Sequence, residues 1–196
     1  IIRNRSGPPQ TAARALKLMT EHPLAIGVDA ARLPLDALCD HLVAGPHARM
    51  HAAVPRIRSR LAALAAREPE GPATGLQAAF ADLATRLLAH LAKVENILFP
   101  AVTALADAER SGRSRPALAF PTVVHPIRVL EAEHERLLAA LAEVEALRGE
   151  LSHAPPDDAW HTIQDDLTAF HADLAAHVHF EAEVLFPRAI ELDQRL

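Results

Sequence analysis

The sequence predicts an all-α protein, an antiparallel four-helix bundle built from two pseudo-symmetric helical hairpins and preceded by a short N-terminal helix. Three observations carry that prediction. The composition favours helix, with 7 Gly, no Tyr and long runs of Ala and Leu in a chain of 196 residues. Four long stretches carry apolar residues at helical spacing and are separated by short links rich in Pro, Gly and Ser. The second half of the chain repeats the layout of the first at a fixed offset of 87 residues.

Each element follows in order. Residues 10–21 form a short helical pattern closed by Pro23, and 23–33 read as a connector, so 1–33 is an N-terminal helix and linker and 34–196 the bundle. The first long helix runs from about Leu35 to Arg67, with kinks expected at Pro46 and Pro55. Glu68-Pro69-Glu70-Gly71-Pro72 makes a turn. A second helix runs from about Gly75 to Ala108, bent near Pro100, and Ser111 to Pro121 forms a loop. The third starts near Pro126, where proline suits a first turn, and ends near Gly149. Pro155-Pro156-Asp157-Asp158 supplies a loop and a cap, and the fourth runs from Asp157 to about Leu192 with Pro187 inside it. Short links between long amphipathic helices place neighbours antiparallel.

Composition narrows the function. Half the residues are hydrophobic and 23% are charged, as a globular chain with a real core requires. The formal charge of −5 offers no field for a phosphate backbone or an anionic bilayer, so neither nucleic acid nor membrane is an expected partner. A single cysteine, Cys39, forms no internal disulfide and no thiolate cluster. The start of the chain shows no secretory signal, and no uncharged apolar stretch approaches the 18 or so residues of a membrane span. The expected compartment is therefore the cytoplasm. Nothing in the sequence sets the oligomeric state.

The 12 histidines need a cause. His90-Leu-Ala-Lys-Val-Glu-Asn-Ile-Leu-Phe-Pro100 matches His177-Val-His-Phe-Glu-Ala-Glu-Val-Leu-Phe-Pro187 at the offset of 87, and His47 shifted by 87 lands on His134. In each half 43 residues separate the two histidines, enough for half a helix up, a loop and half a helix down. His47, His90, His134 and His177 would then meet at one level. Imidazoles buried together without partners lose hydration for nothing, whereas a metal satisfies them. Glu181 lies four residues after His177 and projects from the same helix face, so both can ligate. Nitrogen and carboxylate ligands on facing helices are the arrangement of di-iron bundles.

The same residues carry a family resemblance. With Asp40-His41-Leu42 leading into His47, His90 to Pro100, Pro126-Ile127 leading into Glu133-His134, and His177 to Pro187, residues 35–193 resemble the haemerythrin-like domain of the Repair of Iron Centres family. The resemblance implies a non-haem di-iron centre, oxo-, hydroxo- or carboxylate-bridged, on four histidines and two bridging glutamates. It also implies a role in restoring iron–sulfur clusters after nitric oxide or oxidant damage, with iron–sulfur proteins as clients. The Cys-Cys pair of an extra N-terminal domain found in many members is absent.

One departure bears on the centre. The family places a glutamate four residues after both the second and the fourth histidine, but here the first of these positions is Val94, where its repeat mate is Glu181. Glu95 stands next door, about 140° round from His90 on an ideal helix. Pro100 removes the hydrogen bond to the carbonyl of Asn96, and a π-bulge there would rotate Glu95 inward. Both outcomes stand: Glu95 is a sixth metal ligand, or the centre has one carboxylate fewer and holds one or two irons. His51 is a second candidate for the vacancy, whereas His179 points elsewhere. The resemblance implies that Glu133 orients the site, and an exposed salt bridge is the other reading. His22, His153 and His161 are expected at the surface, and His41, His125 and His171 lack repeat mates. The apolar Val94, Leu98, Phe99, Leu185 and Phe186 would restrict water around the metal.

The expected function is a stress-responsive di-iron protein that binds or reduces nitric oxide, or donates iron to clusters. Nitric oxide reductase-type or other di-iron redox activity is the enzymatic form of that reading. The alternative is a haemerythrin-type oxygen carrier or sensor, distinguished by a stable oxygen adduct and retained iron. A third reading, a structural bundle with a degenerate site, predicts no bound metal.

Overall fold

The computed structural model describes residues 30–67, 69–151 and 158–196, and all regular secondary structure among them is helical. The expected helix at 10–21, His22, His153 and most of the loop at 155–158 lie outside the described residues. Four long helices account for the bundle. Helix α1 joins Leu35–Leu42 through a π turn, Val43–His47, to Ala48–Ala65. Helix α2 joins Pro72–Lys93 through a second π turn, Val94–Leu98, to Phe99–Arg110. Helix α3 is the uninterrupted Val124–Leu151. Helix α4 joins Asp158–Phe180 through a third π turn, Glu181–Leu185, to Phe186–Arg195. Helices α1 and α3 each pack against both α2 and α4, which closes the square.

Local chemistry explains the boundaries. Helix α2 begins three residues before the expected Gly75, because Pro72 tolerates the first-turn position with no donor to satisfy and Thr74 Oγ1 donates to Pro69 O at 2.9 Å. It stops at Arg110 because Gly112 turns the chain back at φ 61°, so that the Arg113 amide donates to Ala108 O at 2.9 Å. Pro55 sits inside α1 without ending it. Helix α3 starts at Val124, ahead of Pro126, because Asp193 near the end of α4 accepts from the Val123 amide at 3.0 Å and from Thr122 Oγ1 at 2.7 Å. Arg115 Nε donates to the other Asp193 oxygen at 2.6 Å, which pins the 111–123 loop to the same carboxylate.

The π turns follow the prolines. The Phe99 amide reaches back five residues to Val94 O and the Phe186 amide reaches back five to Glu181 O, each just before a proline, Pro100 or Pro187. The turns in α2 and α4 are repeat mates at the offset of 87. The one in α1 contains Pro46 and has no counterpart in α3.

The core divides into two apolar clusters. One holds Met50, Ile57, Leu61, Phe80, Leu87, Leu141, Trp160 and Phe170 among others, with Phe80 and Phe170 edge to face at 5.3 Å. The other gathers Leu38, Leu42, Leu98, Phe99, Leu105, Leu130, Phe180 and Phe186 toward the opposite end. Between them lies a polar layer. By length and composition α2 is apolar enough over Pro72–Arg110 to cross a membrane, although Asp82, Arg86, Lys93, Glu95 and Asp107 leave it no uncharged stretch near 18 residues. Its Leu76, Phe80, Leu83, Leu87, Leu91 and Leu98 are buried within the bundle, which accounts for that apolarity as core.

Candidate metal centre

The polar layer takes one histidine from each helix. His47 closes the π turn of α1, His90 lies in α2, His134 in α3 and His177 in α4. His47 stands eighteen residues before Ala65 and His90 eighteen after Pro72, so antiparallel hairpin arms bring them level. All four are buried, with His47 and His177 wholly so, and Glu181 is 0% exposed among them. Neighbouring ring centroids lie 4.7 Å apart for His90 and His134 and 4.9 Å for His47 and His177. Phe99 stacks on His47 at 5.6 Å and Phe186 on His134 at 5.5 Å, so two pairs of repeat mates pack alike.

Glu181 is the hub. Its Oε2 lies 3.0 Å from His134 Nε2, 3.3 Å from His90 Nε2 and 3.5 Å from His177 Nε2. The three nitrogens also crowd one another, with His90 Nε2 at 3.2 Å from His134 Nε2 and 3.5 Å from His177 Nε2. Its Oε1 points to His47 Nε2 at 3.8 Å, and neither of these two atoms has a hydrogen-bond partner. Burial alone would raise the Glu181 carboxyl, but the imidazole of His177, and then those of His134, His47 and His90 around it, hold it well below the usual range. Burial pushes His177 down to about 3, with the other three imidazoles adding to the shift and Glu181 opposing it.

A cation fits this donor set. His47 Nδ1 lies 2.8 Å from Glu95 Oε1, and His90 Nδ1 lies 3.3 Å from Glu133 Oε2. A carboxylate can only accept, so in each case the imidazole donates from Nδ1 and its Nε2 is left as a bare lone pair. Those Nε2 atoms face carboxylate oxygens, acceptor against acceptor in a dry layer, and a positive ion between them is what makes such a contact favourable. His90, His134, His177 and Glu181 offer ligand atoms that all lie within 4.8 Å of one another.

The remaining residues sort plainly. Glu95 is a quarter exposed and lies on the outer nitrogen of His47, outside the close group of ligand atoms. The π turn has brought it round the helix, but toward α1 rather than into the layer. His51 is 45% exposed and lies 3.5 Å from Glu95, on the solvent side of the carboxylate. Val94, fully buried, packs with the apolar cluster. Glu133 also takes an ion pair from Lys93, and although burial pushes its carboxyl up, Lys93 and His90 bring it below the usual range. Lys93 carried no signal in the sequence, since its partner sits on another helix. His41, His125, His161 and His179 are exposed, and His171 pairs with Glu145 at 3.2 Å, away from the layer. The Cys39 thiol is buried, and burial followed by the charges of Asp40, Glu181 and Asp36 pushes it up to about 12.

Three of the differences between the repeats bear on the layer. Val94 stands where Glu181 stands, Ala182 where Glu95 stands, and Pro46 where Glu133 stands. The last difference leaves His177 Nδ1 buried with no partner, because proline offers no side-chain acceptor.

Comparison with known proteins agrees with this geometry. The chain is 28% identical over 163 residues to the iron-sulfur cluster repair protein YtfE of Yersinia pseudotuberculosis serotype IB (strain PB1/+), covering 80% of this chain and 66% of that protein. The match to the YtfE of Yersinia pestis has the same extent. The YtfE of Yersinia pseudotuberculosis serotype O:1b (strain IP 31758) is 32% identical over 119 residues, 59% of this chain and 47% of that protein. The chain thus spans less than two thirds of the length of these relatives. The family model described as Hemerythrin HHE cation binding domain matches residues 40–189, well over half the chain. On that match, and on a layer of imidazoles around one carboxylate with no thiolate among them, the chain belongs to the Hemerythrin HHE cation binding domain family and its cofactor is non-haem iron.

Proposed function

We propose that His47, His90, His134, His177 and Glu181 hold the iron, that Glu95 and Glu133 orient His47 and His90 rather than bind metal, and that the centre serves repair or protection of iron–sulfur clusters under nitrosative or oxidative stress. The observation that carries the reading is the buried Glu181 carboxylate, with acceptor nitrogens facing both of its oxygens. Iron bound there would supply one-electron redox change and open positions for a small diatomic ligand such as nitric oxide or oxygen. The chain's own part is structural and electrostatic. Glu95 and Glu133 fix the tautomers of His47 and His90 so that Nε2 faces inward. Phe99 and Phe186 lie flat on His47 and His134 and, with Val94, Leu98 and Leu185, keep water from one side of the layer. Clients would be iron–sulfur proteins, in a cytoplasmic setting compatible with a single unpaired cysteine.

Purified, iron-loaded protein tests the reading. Nitric oxide added anaerobically should give a nitrosyl spectrum or be consumed, and the protein should restore activity to a nitric oxide-damaged iron–sulfur enzyme. A stable, reversible oxygen adduct with full retention of iron and no cluster repair would favour the oxygen carrier or sensor instead. Absence of iron after growth in iron-rich medium would leave only a structural bundle.

A further inference from the structure

Resting on the iron-centre reading, we propose that the layer is two unequal metal positions: a closed one on His90, His134, His177 and Glu181 Oε2, and an open, exchangeable one on His47 and Glu181 Oε1. The four donors of the first converge among themselves, each Nε2 within 3.5 Å of the same carboxylate oxygen. The second has two donors, 3.8 Å apart and both without any other partner. Its missing carboxylate is traceable to one position. The repeat mate of Glu181 is Val94, which is 0% exposed and offers only methyl groups. Glu95 does not replace it, because its Oε1 is committed to the outer nitrogen of His47 at 2.8 Å and lies 3.5 Å from His51 Nε2.

Charge separates the two positions further. Two dications in this layer would share a single buried carboxylate, since Glu95 and Glu133 are part-exposed and are bonded to the far nitrogens of their imidazoles. A first cation is neutralised in part by Glu181, and a second enters against the repulsion of the first with two protein donors and solvent to complete its sphere. The open position is therefore where iron leaves or where a small ligand binds, and the closed one is where iron is retained. The duplicated hairpin gives each half the same pair of histidines, but the buried carboxylate that Glu181 supplies has no counterpart at its repeat mate, Val94.

An anaerobic ferrous titration of the full chain tests this, with iron counted before and after gel filtration and heats followed by calorimetry. One iron per chain should survive gel filtration and a second should bind about 100-fold more weakly and be lost. His47→Ala should abolish the weak binding and leave the retained iron in place, and Val94→Glu should turn the weak position into a second retained iron. Two irons of equal affinity in the unaltered protein, or loss of both in His47→Ala, would overturn the partition while the iron-centre reading stands. No bound iron at all would overturn both. Should either variant fail to fold by circular dichroism, the stoichiometry and affinities of the unaltered chain decide the matter alone.

Discussion

At the scale of the residue, the centre depends on which nitrogen of each imidazole is tied and which is left bare. Glu181 faces bare nitrogens through both oxygens, so replacing it should cost metal far more than fold. Glu181→Gln keeps the volume, removes a buried charge and is expected to lower iron content at least tenfold, with no loss of melting temperature in the iron-free protein. Elemental analysis and thermal denaturation check both arms. Glu95 acts at one remove. Glu95→Ala frees His47 to adopt the other tautomer, and the expected result is iron binding weakened about 10- to 100-fold with a stability change below about 1 kcal/mol, since the side chain is part-exposed. Binding isotherms and chemical denaturation read the two effects separately. The quartet of histidines was legible because spacing in a duplicated chain survives any ambiguity in helix ends. The bearing of Glu95 was not, because it depends on how many residues the turn after Lys93 contains, and the reach of Glu133 to His90 depends on the packing of α3 against α2.

At the scale of the element, long-range polar contacts set what local sequence left open. The start of α3 is fixed by Asp193, some seventy residues away, so no window of local sequence could locate it. Burial pushes the Asp193 carboxyl up, but Arg115, Thr122 and the Val123 amide together bring it below the ordinary range. A lowered folded value means that the network contributes fully above the unfolded carboxyl value of about 3.9 and loses its contribution as pH falls through the lower folded value. Asp193→Asn is therefore expected to destabilise the protein by about 1–3 kcal/mol at neutral pH, and the gap between the two proteins should close below about pH 4. Denaturant midpoints measured across that range provide the test. The π turns were half visible. Pro100 and Pro46 both signalled a disturbed helix, but only at Pro100 did the sequence point to a π turn, and at Pro46 no more than a kink was expected.

At the scale of the whole molecule, the polar layer separates two apolar clusters that need not respond alike to mutation. Phe80 belongs to the cluster on the far side from Phe99 and Phe186 and meets Phe170 edge to face. Phe80→Ala is expected to cost about 3–5 kcal/mol, read from denaturation curves, yet the folded fraction should keep the iron content of the unaltered chain. The four-helix architecture was readable from periodicity and turn residues, because neither depends on distant partners. The closing of the square and the asymmetry of the layer needed three dimensions. The matched wide turns in α2 and α4 carry one more lesson, about descent. An additional residue lodged at the same point of both halves is most simply inherited from one parent hairpin, whereas the turn at Pro46 and the valine at 94 belong to one half only. The parent, paired with its own copy about a true twofold axis, would have presented a symmetric pocket, and fusion into one chain let the two sides diverge.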